Sequence, residues 1–597
     1  MVVHDLNLEV LEGTLPGGPE LIELAADRVA REAPALVGLS SMGVNAHVAL
    51  LLATAIRLRC PDTLVVLGSA SFSAIAPEVL RRFPAVDAVV VGPGEDAFGL
   101  LCDLALAAES PADALRSLAR RHPDLGGWGP AGQIAHRGSV LVRDGASVHA
   151  VPPPPAVERV RPAWDLVDLR RYFRCNPRRV LDIDGGLRGC RFSCRYCYVP
   201  AHWGRPATGA GDQLEGFLDE VRAARAHGAA RLFFVYDNFI DDPAQAIQRC
   251  AALRQAGLAT PFQCYATLGQ LTATVIDALA GAGCREVYVG VDAVDLASRN
   301  AWRKHLFRSG DDLRARLAAC VAAGIRPTAA FLFDPARASS EHPEETVRGV
   351  LEARAVGCSV RLNVLARYPG TELGALAPAR LVADDARVRL AMDLPPVVIE
   401  NPLAEHHADL FPFHVVENPE EDRLFQLAVH ALYTFCKSLP DTMGALANRR
   451  MAWQTSRAIA SELAGEEFLA LPDGERRERE LAALAARISR DWGGTGVADA
   501  FQTDLAVLSL LSGPEWVEVE LADGRRVHHR PFKVVLTAGQ GADALIVNMG
   551  GILEIRDLPP YARASLRALA GVTEGLDRPL SRDELGALEA LQLFKPS

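Results

Sequence analysis

A chain of 597 residues is long enough for three or four domains, each with its own apolar core. Its 49% hydrophobic and 23% charged residues are those of an ordinary globular protein, and no apolar run reaches the roughly 18 residues of a membrane span. A formal charge of −11 excludes a sequence-independent grip on nucleic acid, and twelve cysteines behind a strand-like N-terminus read as cytoplasmic thiols.

Up to about residue 140, short β-rich runs alternate with helical stretches. Val2–Leu8, Leu36–Ser40, Thr63–Leu67 and Asp87–Val91 read as strands, and Pro19–Glu32 and Val44–Arg59 carry helical periodicity. The alternation predicts a parallel, doubly wound sheet whose ligands sit at the carboxyl ends of its strands. Two of those ends are Ser40-Ser41-Met42-Gly43 and Gly68-Ser69-Ala70-Ser71, and Gly92-Pro93-Gly94-Glu95 follows the last strand. Residues this small let backbone approach a bulky planar ligand. These elements resemble the cobalamin-binding modules fused ahead of many radical S-adenosylmethionine (SAM) domains. Ser41 and Gly68 stand at the separation of that family's Ser-x-Leu and Gly-Gly elements, with Met42 and Ser69 as departures. The resemblance implies a Rossmann-like domain over 1–140 that holds cobalamin through Ser40, Ser41, Gly68, Ser69, Gly94 and Glu95. It also places the family's Asp-x-His-x-x-Gly loop and first strand ahead of Met1, because Val3-His4-Asp5-Leu6-Asn7 is similar to the second strand. His4 reads as a strand-end surface residue.

Pro152–Pro155 is stiff and unable to join a sheet, so 141–179 is read as a linker that wraps, through Asp165 and Tyr172, toward the next element. Cys190, Cys194 and Cys197 then fall within eight residues, in Gly-Cys-Arg-Phe-Ser-Cys-Arg-Tyr-Cys-Tyr. This spacing puts three thiolates on one loop, suited to three irons of a [4Fe–4S] cube whose fourth iron stays open to SAM. A zinc loop would need a fourth ligand nearby, and none follows. The loop resembles the radical SAM signature, including the aromatic Tyr198 after the last cysteine. The other nine cysteines are scattered singly and read as buried structural thiols.

From 180 to 400 a βα alternation recurs, with strands expected at Val180–Ile183, Arg231–Val235, Phe262–Ala266, Glu286–Val291, Arg326–Phe333 and Ser359–Leu365. Leu214–His227 and Val275–Ala282 are helical spans between them. Six such units predict a partial (β/α)6 barrel with its chemistry at the carboxyl ends of the strands. Tyr236-Asp237-Asn238-Phe239 follows the second strand and resembles the family turn that bonds the SAM amino group, although Asp and Asn also close ordinary turns. Gly290-Val291-Asp292 is similar to the family's Gly-Val-Glu, which implies that Gly290 and Asp292 face the SAM ribose or amine. Lys304 matches a lysine common in the following helix and reads as a solvated side chain. Gln263, Tyr265 and Thr267 share one strand face, which makes Tyr265 the candidate on the substrate side. Tyr368-Pro369-Gly370-Thr371 closes the sixth unit and resembles the turn of the cobalamin-type subgroup, implying that Tyr368 and Gly370 border the SAM site.

Over 401–597 the resemblance stops, and a mixed α+β domain that shapes the substrate pocket is expected. Asp422–Phe435 and Glu475–Trp492 read as amphipathic helices. Glu515–Glu520 and Arg526–Leu536 flank the hairpin signal Asp523-Gly524, Val547–Arg556 reads as a further strand, and Ala562–Leu569 and Arg582–Leu593 read as final helices. The adjacent pairs His406-His407 and His528-His529 read as loop or surface.

Together the likenesses imply a cobalamin-dependent radical SAM C-methyltransferase with a [4Fe–4S] cluster, SAM and cobalamin as cofactors. They imply a small-molecule or peptide substrate in secondary metabolism and an external one-electron donor such as flavodoxin or ferredoxin, with no nucleic-acid or membrane partner. A radical SAM enzyme that does not methylate or does not use cobalamin, and a non-catalytic iron–sulfur protein, stay open on the sequence alone.

Overall fold

The computed structural model describes residues 2–504 apart from 42, 126–127, 129–132, 134, 153–161, 177, 185–187, 205–210, 305–309, 377–380, 384–398, 413–414, 417, 466–467, 469–470, 472, 493–494, 499 and 502–503, and beyond 504 only the strands named below. It divides into two compact units, Met1–His430 with Ala460–Ala470, and Ala431–Ile459 with Leu471–Ser597.

The first sheet of the first unit has the strand order β1 (Leu36–Ser40), β2 (Leu64–Gly68), β3 (Ala88–Val90), β4 (Val140–Asp144), β5 (Ser147–Val151). β1 to β3 are parallel, with Leu36 opposite Leu64 and Val66 opposite Ala88. β2 is apolar throughout because helices cover both faces, Ala46–Arg59 on one and Glu95–Ala107 on the other. The expectation of a wholly parallel sheet ending near 140 needs correcting. β4 pairs antiparallel with β3 and β5 antiparallel with β4, and a two-residue turn at Gly145-Ala146 carries the sheet on to Val151. Val2–Leu8 is likewise not a strand. Asp5 accepts a hydrogen bond from the Leu8 amide at 3.0 Å and caps a helix over Leu6–Leu11, so local capping wins over the apolar alternation. Within 165–172, Tyr172 donates to Asp5 at 3.1 Å and Arg171 pairs with Glu12 at 2.6 Å, and Tyr172 lines the same cavity as Tyr196 of the cysteine loop.

The second sheet is wholly parallel, with β6 (Val180–Ile183), β7 (Arg231–Phe234), β8 (Phe262–Thr267), β9 (Cys284–Asp292), β10 (Arg326–Phe333) and β11 (Ser359–Val364) side by side in chain order. Parallel neighbours need a crossover, and helices such as Gly211–Ala226, Pro243–Gln255 and His342–Ala355 supply it. On β8, Phe262, Cys264 and Ala266 are buried, while Gln263 and Tyr265 on the opposite face are only partly covered. After the barrel, β12 (Val382–Ala383) pairs antiparallel with β13 (Val415–Val416). Ile399, Leu410 and Phe411 belong to the apolar core of the first sheet, and His47 Nε2 meets the Ile399 carbonyl at 2.7 Å.

Helix Pro419–Ser438 covers the expected Asp422–Phe435, and the second unit holds Pro440–Ala447 and Asp473–Trp492. The buried Asp504 caps Pro440–Ala447, accepting from the Thr442 amide at 2.7 Å. The expected hairpin is present as β14 (Val517–Glu520) against β15 (Arg526–His529). The two longer strands expected here are each divided. β15 and β16 (Phe532–Val535) lie in different sheets, and β17 (Ala544–Asn548) folds back on β18 (Leu553–Asp557). Pro531, which has no N–H, and Gly550-Gly551 stand between them in the sequence. β19 (Phe594–Pro596) pairs with β15. The helices expected at Ala562–Leu569 and Arg582–Leu593 lie outside the described residues.

Candidate functional site

The cysteine loop follows β6 and is fastened to the barrel by backbone. The Cys197 amide donates to the Cys194 carbonyl at 3.0 Å, the Arg195 amide to Trp302, and the Leu373 amide to Arg195, each at 3.0 Å. Burial pushes the Cys190 and Cys197 thiols up to about 12 and raises Cys194, and Cys194 adds to the rise at the other two. All three are free. A soft metal bound here must displace their protons. Among the described residues no three His, Cys, Asp or Glu side chains close on the point a single ion would occupy. Three thiols on one loop are the donor set for three corners of a [4Fe–4S] cluster.

Behind the loop lies a buried polar group that the sequence reading underrated. Lys304 pairs with Asp292, and the Tyr196 hydroxyl donates to Asp292 at 2.7 Å. Lys304 is 6% exposed, which corrects the reading of a solvated side chain. Asp292 holds a left-handed backbone (φ +63), and a Cβ at Gly290 would stand 3.3 Å from the lysine Nζ and 3.5 Å from Asp292 Oδ2. Glycine at 290 therefore leaves room for the ion pair. Tyr196, whose ring lies edge-on to Trp302 at 5.8 Å, was passed over for Tyr198. Its signal was its place between the second and third cysteines.

At the carboxyl end of β7, the Asp237 carboxylate accepts from the Gly189 amide at 3.3 Å. Burial pushes it up to about 6, with the Asp184 charge adding. Asn238 is turned elsewhere. Its amide donates to Gln270 Oε1 at 2.8 Å, an oxygen that Thr267 also bonds, while its own Oδ1 is buried without a partner. Tyr265 stands between Phe233 and Tyr288, at 5.0 and 5.4 Å. Tyr198 lies 6.0 Å from Tyr368 and feels Asp237 and Tyr265, so these four aromatic and acidic groups share one end of the barrel.

Across from them are the strand ends of the first sheet. Ser41 Oγ and Ser69 Oγ are buried without partners, and Ser69 holds a left-handed φ of +107. A Cβ at Gly68 would meet nothing within 4 Å. Two orphan hydroxyls beside an open backbone cradle suit the polar tail of a bulky ligand. Gly94 instead precedes helix Glu95–Ala107, and Glu95 pairs with Arg188 of the cysteine loop at 2.5 Å. His202, unmarked in the sequence, lies near the same junction. Burial, then Arg188 and Arg137, lower it to about 4, and its Nδ1 is buried without a partner.

One cavity of about 1900 Å³ joins the two halves, lined by Ser40 and Ser41 from the first sheet and by Tyr196, Asp292 and Tyr368 from the barrel. This is about twice the upper end of ordinary ligand pockets, roughly 1000 Å³. Gly68, Ser69, Gly94, Glu95, Tyr198, Asp237, Asn238, Tyr265, Gly290 and Gly370 do not line it. His4, expected at the surface, does line it and pairs with Glu9 at 3.2 Å and Glu32 at 3.0 Å.

Comparison with known proteins gives a match of residues 186–364 to the radical SAM superfamily and of residues 2–101 to the B12 binding domain. An uncharacterized methyltransferase of Pyrococcus horikoshii is 23% identical over 241 residues, 39% of this chain and 46% of that protein. The anaerobic magnesium-protoporphyrin IX monomethyl ester cyclase of Rubrivivax gelatinosus is 28% identical over 143 residues, 24% of this chain and 23% of that protein. The chain thus spans about half and about a quarter of the lengths of these relatives. Among solved structures, the cobalamin-dependent SAM radical enzyme OxsB with aqua-cobalamin bound has a TM-score of 0.50 at 12% identity, covering 81% of this chain and 73% of that one. The radical SAM methyltransferase TsrM of Kitasatospora setae, solved with cobalamin and a [4Fe–4S] cluster, has a TM-score of 0.48 at 18% identity, covering 74% and 91%. The likeness to OxsB is one of fold.

Proposed function

Because this chain joins a B12 binding domain to a radical SAM domain, we propose that it is a cobalamin-dependent radical SAM methyltransferase acting on a small-molecule or peptide intermediate of secondary metabolism. The observation that carries the reading is the single cavity bordered by Ser40 and Ser41 on one side and by Tyr196, Asp292 and Tyr368 on the other. A cytoplasmic setting and a flavodoxin or ferredoxin as electron donor belong to the same proposal.

When bound, a [4Fe–4S] cluster supplies the electron that cleaves SAM, and cobalamin carries the methyl group. Cys190, Cys194 and Cys197 would hold the cluster. Asp292 and the backbone at Gly290 would orient SAM, with Tyr198 and the Tyr368–Gly370 turn closing its site. Asp237 is assigned the SAM amine. Being pushed up to about 6, it is charged at neutral pH and loses that charge in mild acid. Asn238, tied to Gln270, would hold the turn rather than touch the cofactor. Ser40, Ser41, Gly68, Ser69 and Gly94 would cradle cobalamin, whereas Glu95, through Arg188, would fix the spacing between the two cofactor sites. Tyr265 is offered to the substrate. The walls of the cavity exclude water and set the distance between the groups, which is the larger part of what the protein contributes.

The test is to purify the chain without oxygen, rebuild the cluster, soak it in hydroxocobalamin, desalt it, and measure iron and cobalt. About four irons and one cobalt per chain, with S-adenosylhomocysteine formed on turnover, are expected. Four irons without cobalt would overturn the methyltransferase reading.

A further inference from the structure

We infer that the inner face of the barrel binds an organic ammonium, whose charge is set on Asp182 among the rings of Phe233, Tyr265 and Tyr288. The substrate of the proposed methyltransferase is then an amine, a step that rests on that reading. β6 to β9 bring the four side chains together. Asp182 lies opposite Phe233 in the register of β6 and β7, and Tyr265 lies opposite Tyr288 in that of β8 and β9. The Phe233 and Tyr265 rings are 5.0 Å apart and tilted by 52°, and those of Tyr265 and Tyr288 are 5.4 Å apart at 77°. Rings turned against one another in this way, with a carboxylate beside them, form an aromatic cage of the kind that holds an ammonium.

On the outward face of these strands Leu232, Phe234, Cys264, Ala266, Val287 and Val289 are all buried. On the inner face Phe233, Tyr265 and Tyr288 are only partly covered, and Asp182 is exposed. A closed eight-stranded barrel fills its interior with branched apolar side chains. Six strands whose interior is left open and lined by rings and a carboxylate make room for a ligand instead. Leu332 and Arg361, on the same face of β10 and β11, also line the cavity of about 1900 Å³, so that room leads on to Tyr196, Asp292 and Tyr368. Asp182 is open to this space, yet the walls around it exclude enough water to raise its carboxyl, and Tyr265 feels its charge. No cation among the described residues offsets that cost. Arg231, two residues before Phe233, is taken by Glu286 at 3.1 Å, and Arg361 has contacts of its own. A ligand ammonium supplies what the carboxylate lacks.

The experiment titrates the reconstituted full chain, without SAM or cobalamin, with phenethylammonium and with its neutral and anionic counterparts, phenethyl alcohol and phenylacetate, followed by saturation-transfer NMR at neutral pH. The parent is expected to bind the ammonium at least tenfold more tightly than the alcohol, and phenylacetate more weakly than either. Asp182→Asn should bring the ammonium to the level of the alcohol. This variant is nearly isosteric and strands no cation, so its urea midpoint should not fall below the parent's. Tyr265→Leu keeps an apolar side chain but no ring face, and should cut the preference for the ammonium severalfold. Equal affinity for ammonium and alcohol in the parent, binding of none of the three, or a preference that survives in Asp182→Asn would overturn the inference. A parent that takes up no four-iron cluster would instead overturn the methyltransferase reading, and the ammonium preference of that same sample then decides the inference by itself.

Discussion

Arg188 and Glu95 meet at 2.5 Å, so the base of the cysteine loop is tied to the turn that follows β3. The same guanidinium holds Asp184 at 2.6 Å and lies over the Trp203 ring at 4.5 Å. Removing it as Arg188→Ala sets two half-buried carboxylates side by side with no cation between them. A loss of about 2 kcal/mol is expected, between the small worth of exposed pairs and the larger cost of breaking a buried one. Burial raises the Glu95 carboxyl, but the bond and charge of Arg188 outweigh it and hold it below its usual range. A lowered acid contributes stability above its ordinary titration range and loses it as the pH falls through the lowered value. Urea unfolding of parent and Arg188→Ala should therefore differ at pH 7 and converge only as the pH falls below the ordinary glutamate range. A gap that persists in acid would point to lost packing on Trp203 instead.

Asp237 behaves in the opposite sense. Its carboxyl is raised to about 6 by burial, so the folded chain bears the cost of the charged form above that pH and is relieved of it below. Replacing it by Asn removes that cost. Asp237→Asn should be the more stable protein at pH 8, by about 3 kcal/mol for a shift of roughly two units, and indistinguishable from the parent near pH 4. The gain in stability should come with weaker SAM binding at pH 8, measured by calorimetry. Unchanged SAM affinity would remove Asp237 from the site.

Both results depend on residues whose partners are distant in the sequence, and this is where sequence reading reaches its limit. β6 and β10 were legible to the residue, β10 because its buried Ala329–Phe333 stretch is a continuous apolar run and β6 because a short apolar stretch leads straight into the cysteine loop. The cysteine loop was legible because its meaning is in its spacing. Lys304 was not, since a lone lysine is usually solvated, and only the fold brings it to Asp292. Arg188 directly precedes the loop's first glycine-cysteine pair, yet its partner Glu95 lies far back in the sequence, after β3. Val2–Leu8 failed for a local reason, as one capping bond from Asp5 decides for helix. The first sheet was read as ending near 140 because the composition between 91 and 139 gives no strand signal. β4 and β5 nevertheless return to it as a hairpin.

Two glycines of the site should respond differently to one added methyl group. At Gly370 (φ +78) a Cβ would stand 2.4 Å from Gln133 Oε1 and 3.0 Å from the Ala74 Cβ, so the turn after β11 rests directly on the first domain. Left-handed strain and overpacking each cost about 1–2 kcal/mol. Gly370→Ala is expected to lower the melting temperature clearly. At Gly68 the same methyl meets nothing within 4 Å, so Gly68→Ala should melt with the parent. If the space it fills belongs to cobalamin, hydroxocobalamin should bind at least tenfold more weakly. Equal cobalt content in Gly68→Ala and parent would show that the space is not used.

Ser41 and Ser69 give the sharpest separation of a ligand cradle from ordinary fold. Each hides a hydroxyl without a partner, and an unsatisfied buried polar group costs about 1–3 kcal/mol. Ser69 also holds a backbone conformation that glycine adopts freely. A chain selected for stability alone would lose both hydroxyls. Ser41→Ala and Ser69→Gly are therefore expected to stabilise the apo protein, by about 1 kcal/mol each, as read by urea midpoint. In the presence of hydroxocobalamin the order should reverse, because the ligand supplies the missing partners to the parent and not to the variants. Added cobalamin stabilises by an amount set by its concentration over its dissociation constant, so a tenfold weaker complex appears as about 1.4 kcal/mol less protection. Variants that are more stable both with and without the cofactor would mean that the hydroxyls serve neither ligand nor fold. Variants that are less stable in both states would mean that they bond something within the protein.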